Sequence, residues 1–105
     1  MIPKNKYRNI PCIVNGIRFQ SRKEGRRYQI LLLLLQAGEI FKLQLQVPFK
    51  LEVNGFKICT YKADFVYYDK KGNKVVEDTK GVLTPEFKLK QKLMKAILEV
   101  EILLT

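Results

Sequence analysis

Residues 62–81, KADFVYYDKKGNKVVEDTKG, decide the fold, because two apolar segments flank a polar, glycine-containing turn at Asp69 to Asn73. This pattern predicts a β-hairpin. Side chains alternate between the two faces of a strand, so Asp78 and Lys80 lie on one face of the second strand, and the residues before and between them lie on the other. An acid and a lysine therefore share one surface.

Asp64 interrupts an otherwise apolar run in the first strand of this hairpin. A solitary carboxylate in such a run costs stability unless a charged group meets it. If Asp64, Asp78 and Lys80 converge on one patch, a divalent metal would meet that need, since hard cations prefer carboxylate oxygens. The hairpin therefore predicts a metal site.

A helix is predicted before the hairpin, with Ser21 as its N-cap and Gly38 just after its last residue. Glu24, in the first turn, has two interpretations. In a Ser-x-x-Glu capping box it would bond the Ser21 backbone amide. It also begins an apolar helical face, which would turn its carboxylate inward, toward a metal. The apolar residues of that face are Tyr28, Leu31, Leu32 and Leu35.

Asp64, a thirteen-residue gap and Asp78-Thr79-Lys80 together resemble the signature of the PD-(D/E)xK nuclease superfamily. That superfamily also places a glutamate on an N-terminal helix, a position that Glu24 matches. The order of these elements, followed by a basic helix, most resembles small phage-encoded endodeoxyribonucleases and Holliday-junction resolvases. The resemblance spans about residues 6–104. The proline of the superfamily's name is replaced by Ala63, a replacement that the superfamily often shows.

The order of the predicted elements favours an α/β architecture, a mixed sheet with a helix against each face. The resemblance implies the restriction-endonuclease-like form of that fold in one domain over residues 1–105, hydrolysing DNA with Mg²⁺ or Mn²⁺ and no small-molecule cofactor. Asp64 and Asp78 would be direct metal ligands, and Glu24 a direct or water-mediated one. Lys80 would orient the attacking water. The resemblance alone implies the Thr79 carbonyl as a further ligand.

The charge balance favours a nucleic-acid partner. Twenty lysines and arginines against ten acids give a net charge of +10, which attracts a polyanion through phosphate contacts. Histidine is absent, which excludes histidine acid–base catalysis, Ser-His and Cys-His nucleophiles, and histidine zinc sites. Mg²⁺ chemistry needs no histidine.

The cysteines and the apolar segments predict an intracellular protein. Cys12 and Cys59 lie far apart without a metal-binding spacing, which is typical of thiols in a reducing compartment. The apolar run Ile30 to Leu35 is too short to span a membrane, and no signal peptide is recognisable. We expect a cytoplasmic location, in the host cell if the protein is phage-encoded.

Basic residues cluster in three segments that are candidates for DNA contact: an N-terminal arm, the first turns of the first helix, and a second helix that begins at Thr84-Pro85. A frayed terminus or a solvated face is the alternative for each. The candidates are Lys6 and Arg8 in the arm, Arg22, Lys23 and Arg26 with Arg27 in the first helix, and Lys88, Lys90 and Lys92 in the second helix.

Further strands are predicted on both sides of the hairpin. Residues 12–14 and 17–19 form a short hairpin about Asn15-Gly16. Alternating residues predict a strand from Ile40, broken at Pro48 and resumed to a second turn at Asn54-Gly55. Gln46, in this strand, is either an outer-face residue or a contact near the site. A last strand is predicted around residues 100–104.

A non-catalytic, basic DNA-binding module is the alternative function, with Asp78 and Lys80 as a simple ion pair. Action on RNA also stays open, although the chain shows no aromatic RNA-binding motif. A resolvase cuts two symmetry-related strands, so we expect a homodimer that prefers branched DNA. Part of the leucine-rich helix, residues 28–35, or the adjoining Phe41 strand would form its interface; the alternative is that this helix is covered within the monomer.

Overall fold

A computed structural model describes residues 10–105, so Lys6 and Arg8 of the predicted arm lie outside the described residues. The predicted α/β architecture is confirmed, and residues 10–105 form two helices and two sheets. The elements in chain order are β1 (Cys12–Val14), β2 (Ile17–Phe19), α1 (Arg22–Gln36), β3 (Ile40–Val53), β4 (Phe56–Asp69), β5 (Lys74–Asp78), α2 (Pro85–Leu98) and β6 (Ile102–Leu104).

The main sheet has the strand order β3-β4-β5-β6, and β1 and β2 form a separate antiparallel hairpin. β3, β4 and β5 pair antiparallel, whereas β6 runs parallel to β5. A parallel pair needs a crossover connection, and α2 provides it. The sheet is therefore mixed, as the sequence predicts.

One helix packs against each face of this sheet. Val75 and Val76 are neighbours on β5, yet Val75 packs with Tyr28 and Leu31 of α1, and Val76 packs with Met94 of α2. Consecutive strand residues face opposite sides, so the two clusters lie on opposite faces. Leu35, predicted to face inward, is 36% exposed instead.

The predicted break at Pro48 is wrong. β3 is one strand of 14 residues, and Pro48 pairs with Lys62 inside its ladder with β4. Within the described residues β3 is the edge of the sheet, and an edge strand tolerates proline because one of its sides needs no hydrogen bonds.

The predicted turns and helix starts are confirmed. Asn54 and Gly55 both have positive φ, at 52° and 82°, as a two-residue hairpin turn requires. The side chains of Ser21 and Thr84 accept hydrogen bonds from the third residue after each, which makes both of them N-caps. No helix in residues 10–105 is long and apolar enough to cross a membrane.

Candidate active site

The fold brings the predicted site residues together from three elements. Asp64 lies in the middle of β4, Asp78 at the end of β5, and Glu24 in the first turn of α1. Glu24, Asp64, Thr79 and Lys80 line one cleft of about 290 Å³. Asp78 lies next to this cleft, completely buried, with Oδ1 at 3.3 Å from the Lys80 ammonium.

Glu24 is only 4% exposed. Its contacts can be compared with the two predicted roles, a capping-box residue and a carboxylate that faces the metal site. Its backbone N–H donates to the Ser21 hydroxyl at 3.1 Å, so Ser21 caps the helix. Its carboxylate accepts from the side-chain amide of Gln46 at 3.0 Å and is also stabilised by the backbone of Gln20. The carboxylate thus faces the cleft.

Hydrogen bonds hold the two aspartates at fixed positions. Asp64 Oδ2 accepts the Thr79 N–H at 3.0 Å, and Oδ1 accepts from Gln46 at 3.4 Å. Asp78 Oδ2 accepts the Tyr61 hydroxyl. Asp78 Oδ1, by contrast, has no hydrogen bond among the described residues, since its ion pair with Lys80 is not aligned as one. Asp78 also adjoins the Asp64 carboxyl, whose pKa it raises.

The electrostatics of the cleft favour a positive charge. Burial, followed by the nearby Asp78 and Glu24, raises the pKa of Asp64 to about 8. Burial and Asp78 also raise the pKa of Glu24, against the opposing effect of Lys80. The Tyr61 hydroxyl has a raised pKa because it is buried and bonded to Asp78. Proximity of the three acids makes full ionisation costly without a cation.

Gln46 and Tyr61 belong to the site. Gln46 bonds both Glu24 and Asp64, and its φ of 52° is unusual for a strand residue other than glycine. Such strained residues often cluster at functional sites. The sequence leaves the role of Gln46 undecided and does not identify Tyr61 as a site residue. Both residues simply occupy positions in strands, and nothing in the surrounding pattern indicates a functional role.

Arg27, a candidate for DNA contact or for a solvated face, binds inside the protein instead. Its guanidinium donates from Nε and from a terminal nitrogen to the Glu77 carboxylate, at 2.7 and 3.0 Å. Glu77 is completely buried on the face of β5 opposite to Asp78, and a buried carboxylate requires such a partner. Arg27 is thereby drawn from solvent to the sheet and is only 24% exposed.

The other predicted basic residues among the described ones lie in the first turns of α1 or on α2. Lys23 donates to the Lys80 carbonyl oxygen at 3.0 Å. Lys90 pairs with Glu86 at 3.2 Å and lines, with Lys62 and Lys80, a neighbouring groove of about 420 Å³. The remaining members, all exposed, are Arg22, Arg26, Lys88 and Lys92.

No three acidic or cysteine side chains in residues 10–105 stand close enough together to hold a metal ion as they are. The described site is therefore a set of converging carboxylates whose oxygens are held by Gln46, Tyr61 and the Thr79 amide. This fold and this acidic cleft in a basic protein define a small α/β domain with a candidate active site.

The chain belongs to the family described as protein of unknown function DUF1064, which matches residues 4–102. The match includes all four predicted catalytic residues. No curated protein and no solved structure matches the chain.

Replacing Asp64 by asparagine tests the charge balance of the metal-free site. The pKa of Asp64 is raised in the folded state. The unfolded chain therefore loses this proton at lower pH than the folded protein does, and stability falls as the pH rises from 3.8 to about 8. We expect Asp64→Asn to be more stable than the wild type at pH 8 by at least ~1 kcal/mol, because one pKa unit corresponds to ~1.4 kcal/mol. The difference should shrink toward pH 4.

Thermal unfolding in a chelating buffer measures this difference, with Glu52→Gln as the matched control. Glu52 is an exposed acid, 44% accessible and paired with Lys50 at the surface. An equal stability gain at pH 8 in both variants would mean that the loss of one acidic side chain anywhere on the protein, and not its place in the site, is responsible.

Proposed function

We propose that this protein is a metal-dependent endodeoxyribonuclease of the PD-(D/E)xK type. The observation that carries the proposal is the convergence of Glu24, Asp64 and Lys80 on one cleft, with Asp78 buried beside Lys80. These residues come from α1, β4 and the end of β5, and they are the four positions that match the superfamily signature. The net charge of +10 supports a nucleic-acid substrate.

The donor chemistry of the cleft suits a divalent cation of the Mg²⁺ class, which would draw the acids of residues 10–105 closer together than they stand. Asp78 Oδ1 is a buried oxygen without a hydrogen bond among the described residues, and burial beside the acids Asp78 and Glu24 raises the pKa of Asp64. Hard cations bind through such carboxylate oxygens. Asp64 and Asp78 would hold the ion, with Glu24 directly or through water and the Thr79 carbonyl as a further ligand.

Phosphodiester hydrolysis requires an activated water, neutralised charge on the transition state and a stabilised leaving oxygen. A bound Mg²⁺ supplies charge neutralisation and lowers the pKa of water. Lys80 orients the attacking water from the rim, where it is 32% exposed. Its ammonium is held by Asp78 and lies 4.7 Å from the centre of the Phe87 ring, which fixes its position.

The basic residues of α1 and α2 would contact the DNA backbone on either side of the cleft. Arg22, Lys23 and Arg26 lie in the first turns of α1, beside Glu24. Lys88, Lys90 and Lys92 lie on α2, which begins close after Lys80 and shares the neighbouring groove with it. Phosphate contacts of this kind position a nucleic acid without reading its sequence.

A homodimer is part of the proposal, and the monomer leaves apolar residues uncovered on the expected surface. Leu33 is 65% exposed and Ile30 is 48% exposed on α1, and Phe41 at the start of β3 is 46% exposed. α1 is therefore not fully covered within the monomer. A two-fold dimer would give the matched sites needed to cut both strands of a branched DNA.

Asp78→Asn tests the proposed chemistry. The amide cannot supply the charge that a metal requires, so we expect Mg²⁺-dependent nicking of supercoiled plasmid to disappear. DNA binding should stay the same or become tighter, because the variant also removes repulsion between the acid and phosphate. Asp64→Asn should behave in the same way.

Glu52→Gln is the control and should nick at the wild-type rate, because Glu52 is an exposed acid of β3 outside the cleft. Full activity of Asp78→Asn, or loss of DNA binding in parallel with cleavage, would contradict the metal site. A wild-type protein that binds DNA but does not nick plasmid with Mg²⁺ would favour the alternative of a non-catalytic binding module. Cleavage of RNA in place of DNA would change the substrate class.

Lys80→Ala tests the role of the ammonium. Removing one positioned transition-state group typically costs about 10²–10³-fold in rate, and we expect single-turnover cleavage to slow by roughly that factor with little change in Mg²⁺ affinity. Lys50→Ala removes the same charge from a surface pair outside the cleft and should cleave normally. Calorimetry showing that Mg²⁺ binding is lost with Lys80 would make this lysine structural.

Sedimentation tests the assembly. At micromolar protein in ~0.3 M salt, which suppresses charge-driven association, we expect a dimer that Leu33→Asp converts to a monomer. The dimer should cut four-way junctions and flaps faster than linear duplex. A wild-type monomer with equal rates on junction and linear DNA would contradict the resolvase-like function and leave a simple nicking nuclease.

A further inference from the structure

Two charged side chains of α1 donate hydrogen bonds to the end of β5 and to the residues just after it. Lys23 donates to the carbonyl oxygen of Lys80 at 3.0 Å, and Arg27 donates to both oxygens of Glu77 at 2.7 and 3.0 Å. Between these two contacts lie Glu24 on the helix and Asp78 on the strand. The proposed metal ligands of two separate elements are therefore held by contacts on either side of them.

The Glu77 carboxylate is the centre of this connection. Besides the two Arg27 bonds, Oε1 accepts the Tyr67 hydroxyl at 2.6 Å, and Oε2 accepts the Thr105 hydroxyl at 3.1 Å. The Thr105 hydroxyl also bonds that of Thr79 at 3.0 Å, and the Thr105 N–H donates to the Asp78 carbonyl at 3.1 Å. The network thus reaches the backbone that carries Asp78.

Stability alone does not account for a charged pair at this place. A buried ion pair loses so much hydration that well-packed apolar residues are often as stabilising. Val75, on the same face of β5, packs directly against the α1 side. A bidentate guanidinium–carboxylate pair adds fixed distance and fixed orientation, which an apolar contact between Arg27 and Glu77 positions would lack.

We infer that Arg27 and Glu77 are positioning residues, which hold the helix that carries Glu24 against the strand that carries Asp78 and thereby set the metal affinity of the site. The inference rests on the proposed function, because it concerns the proposed ligands. Residues that orient metal ligands typically contribute about 10–100-fold to metal affinity. Arg27 and Glu77 would act in this way from the opposite face of β5.

The test uses Arg27→Lys and Tyr67→Phe in the full chain. Lysine keeps the positive charge but cannot form the two parallel bonds, so a loss is attributable to geometry and not to charge. Tyr67→Phe removes one donor to Glu77 and keeps the packing. We expect calorimetric titration with Mn²⁺ to show affinity at least about 10-fold weaker for Arg27→Lys, with a smaller loss for Tyr67→Phe.

The matched controls are Arg18→Lys, an exposed arginine of β2, and Tyr68→Phe, the neighbouring tyrosine of β4. Both should bind Mn²⁺ like the wild type. If Arg27→Lys does not fold, Tyr67→Phe still decides. Lower unfolding temperatures with unchanged Mn²⁺ affinity would overturn the inference and leave the pair purely structural. If the wild type does not bind Mn²⁺, or if Asp78→Asn still binds it, both the metal site and the inference are overturned.

Discussion

Two carboxylates on neighbouring strands, the half-buried Asp64 and the completely buried Asp78, are the constraint on which the rest of the structure depends. Like charges that lose water together repel each other, so each needs donors or a cation nearby. The donors come from the sheet and its end: the Tyr61 hydroxyl, the Gln46 amide and the Thr79 N–H. Each reaches its oxygen only when β3, β4 and β5 are in register, so a slipped strand would leave a buried charge unpaired.

Glu77 and Asp78 are buried acids at adjacent positions of β5, and they differ in how many hydrogen bonds they receive. Glu77 faces α1 and receives hydrogen bonds from Arg27, Tyr67 and Thr105. Asp78 faces the α2 side, where one of its oxygens has no hydrogen bond among the described residues. The alternation of β5 thus separates a neutralised acid from one that still has binding capacity. If both acids served only stability, we would expect the oxygens of both to be fully hydrogen-bonded.

Local chemistry explains what the sequence predicts correctly. The hairpin turns, both helix starts and the shared face of Asp78 and Lys80 depend on residues close in the chain, and they are present as predicted. The continuity of β3 through Pro48 and the inward turn of Arg27 depend on distant partners. The sequence around Arg27 does not indicate that it pairs with a buried glutamate fifty residues later. A proline predicts a break in a strand unless the strand is known to lie at the edge of the sheet.

The distribution of charge connects the basic surface with the acidic cleft. In the proposed nuclease, a net charge of +10 would attract DNA from a distance, but a phosphate that entered the cleft would meet Glu24 and Asp64. Lys80 lowers the pKa of Glu24, but burial and the neighbouring Asp78 raise it by more. In the proposed nuclease, the rim would therefore bind DNA without metal, whereas close approach of the scissile phosphate would require a cation. Binding and cleavage are then separable properties of one surface.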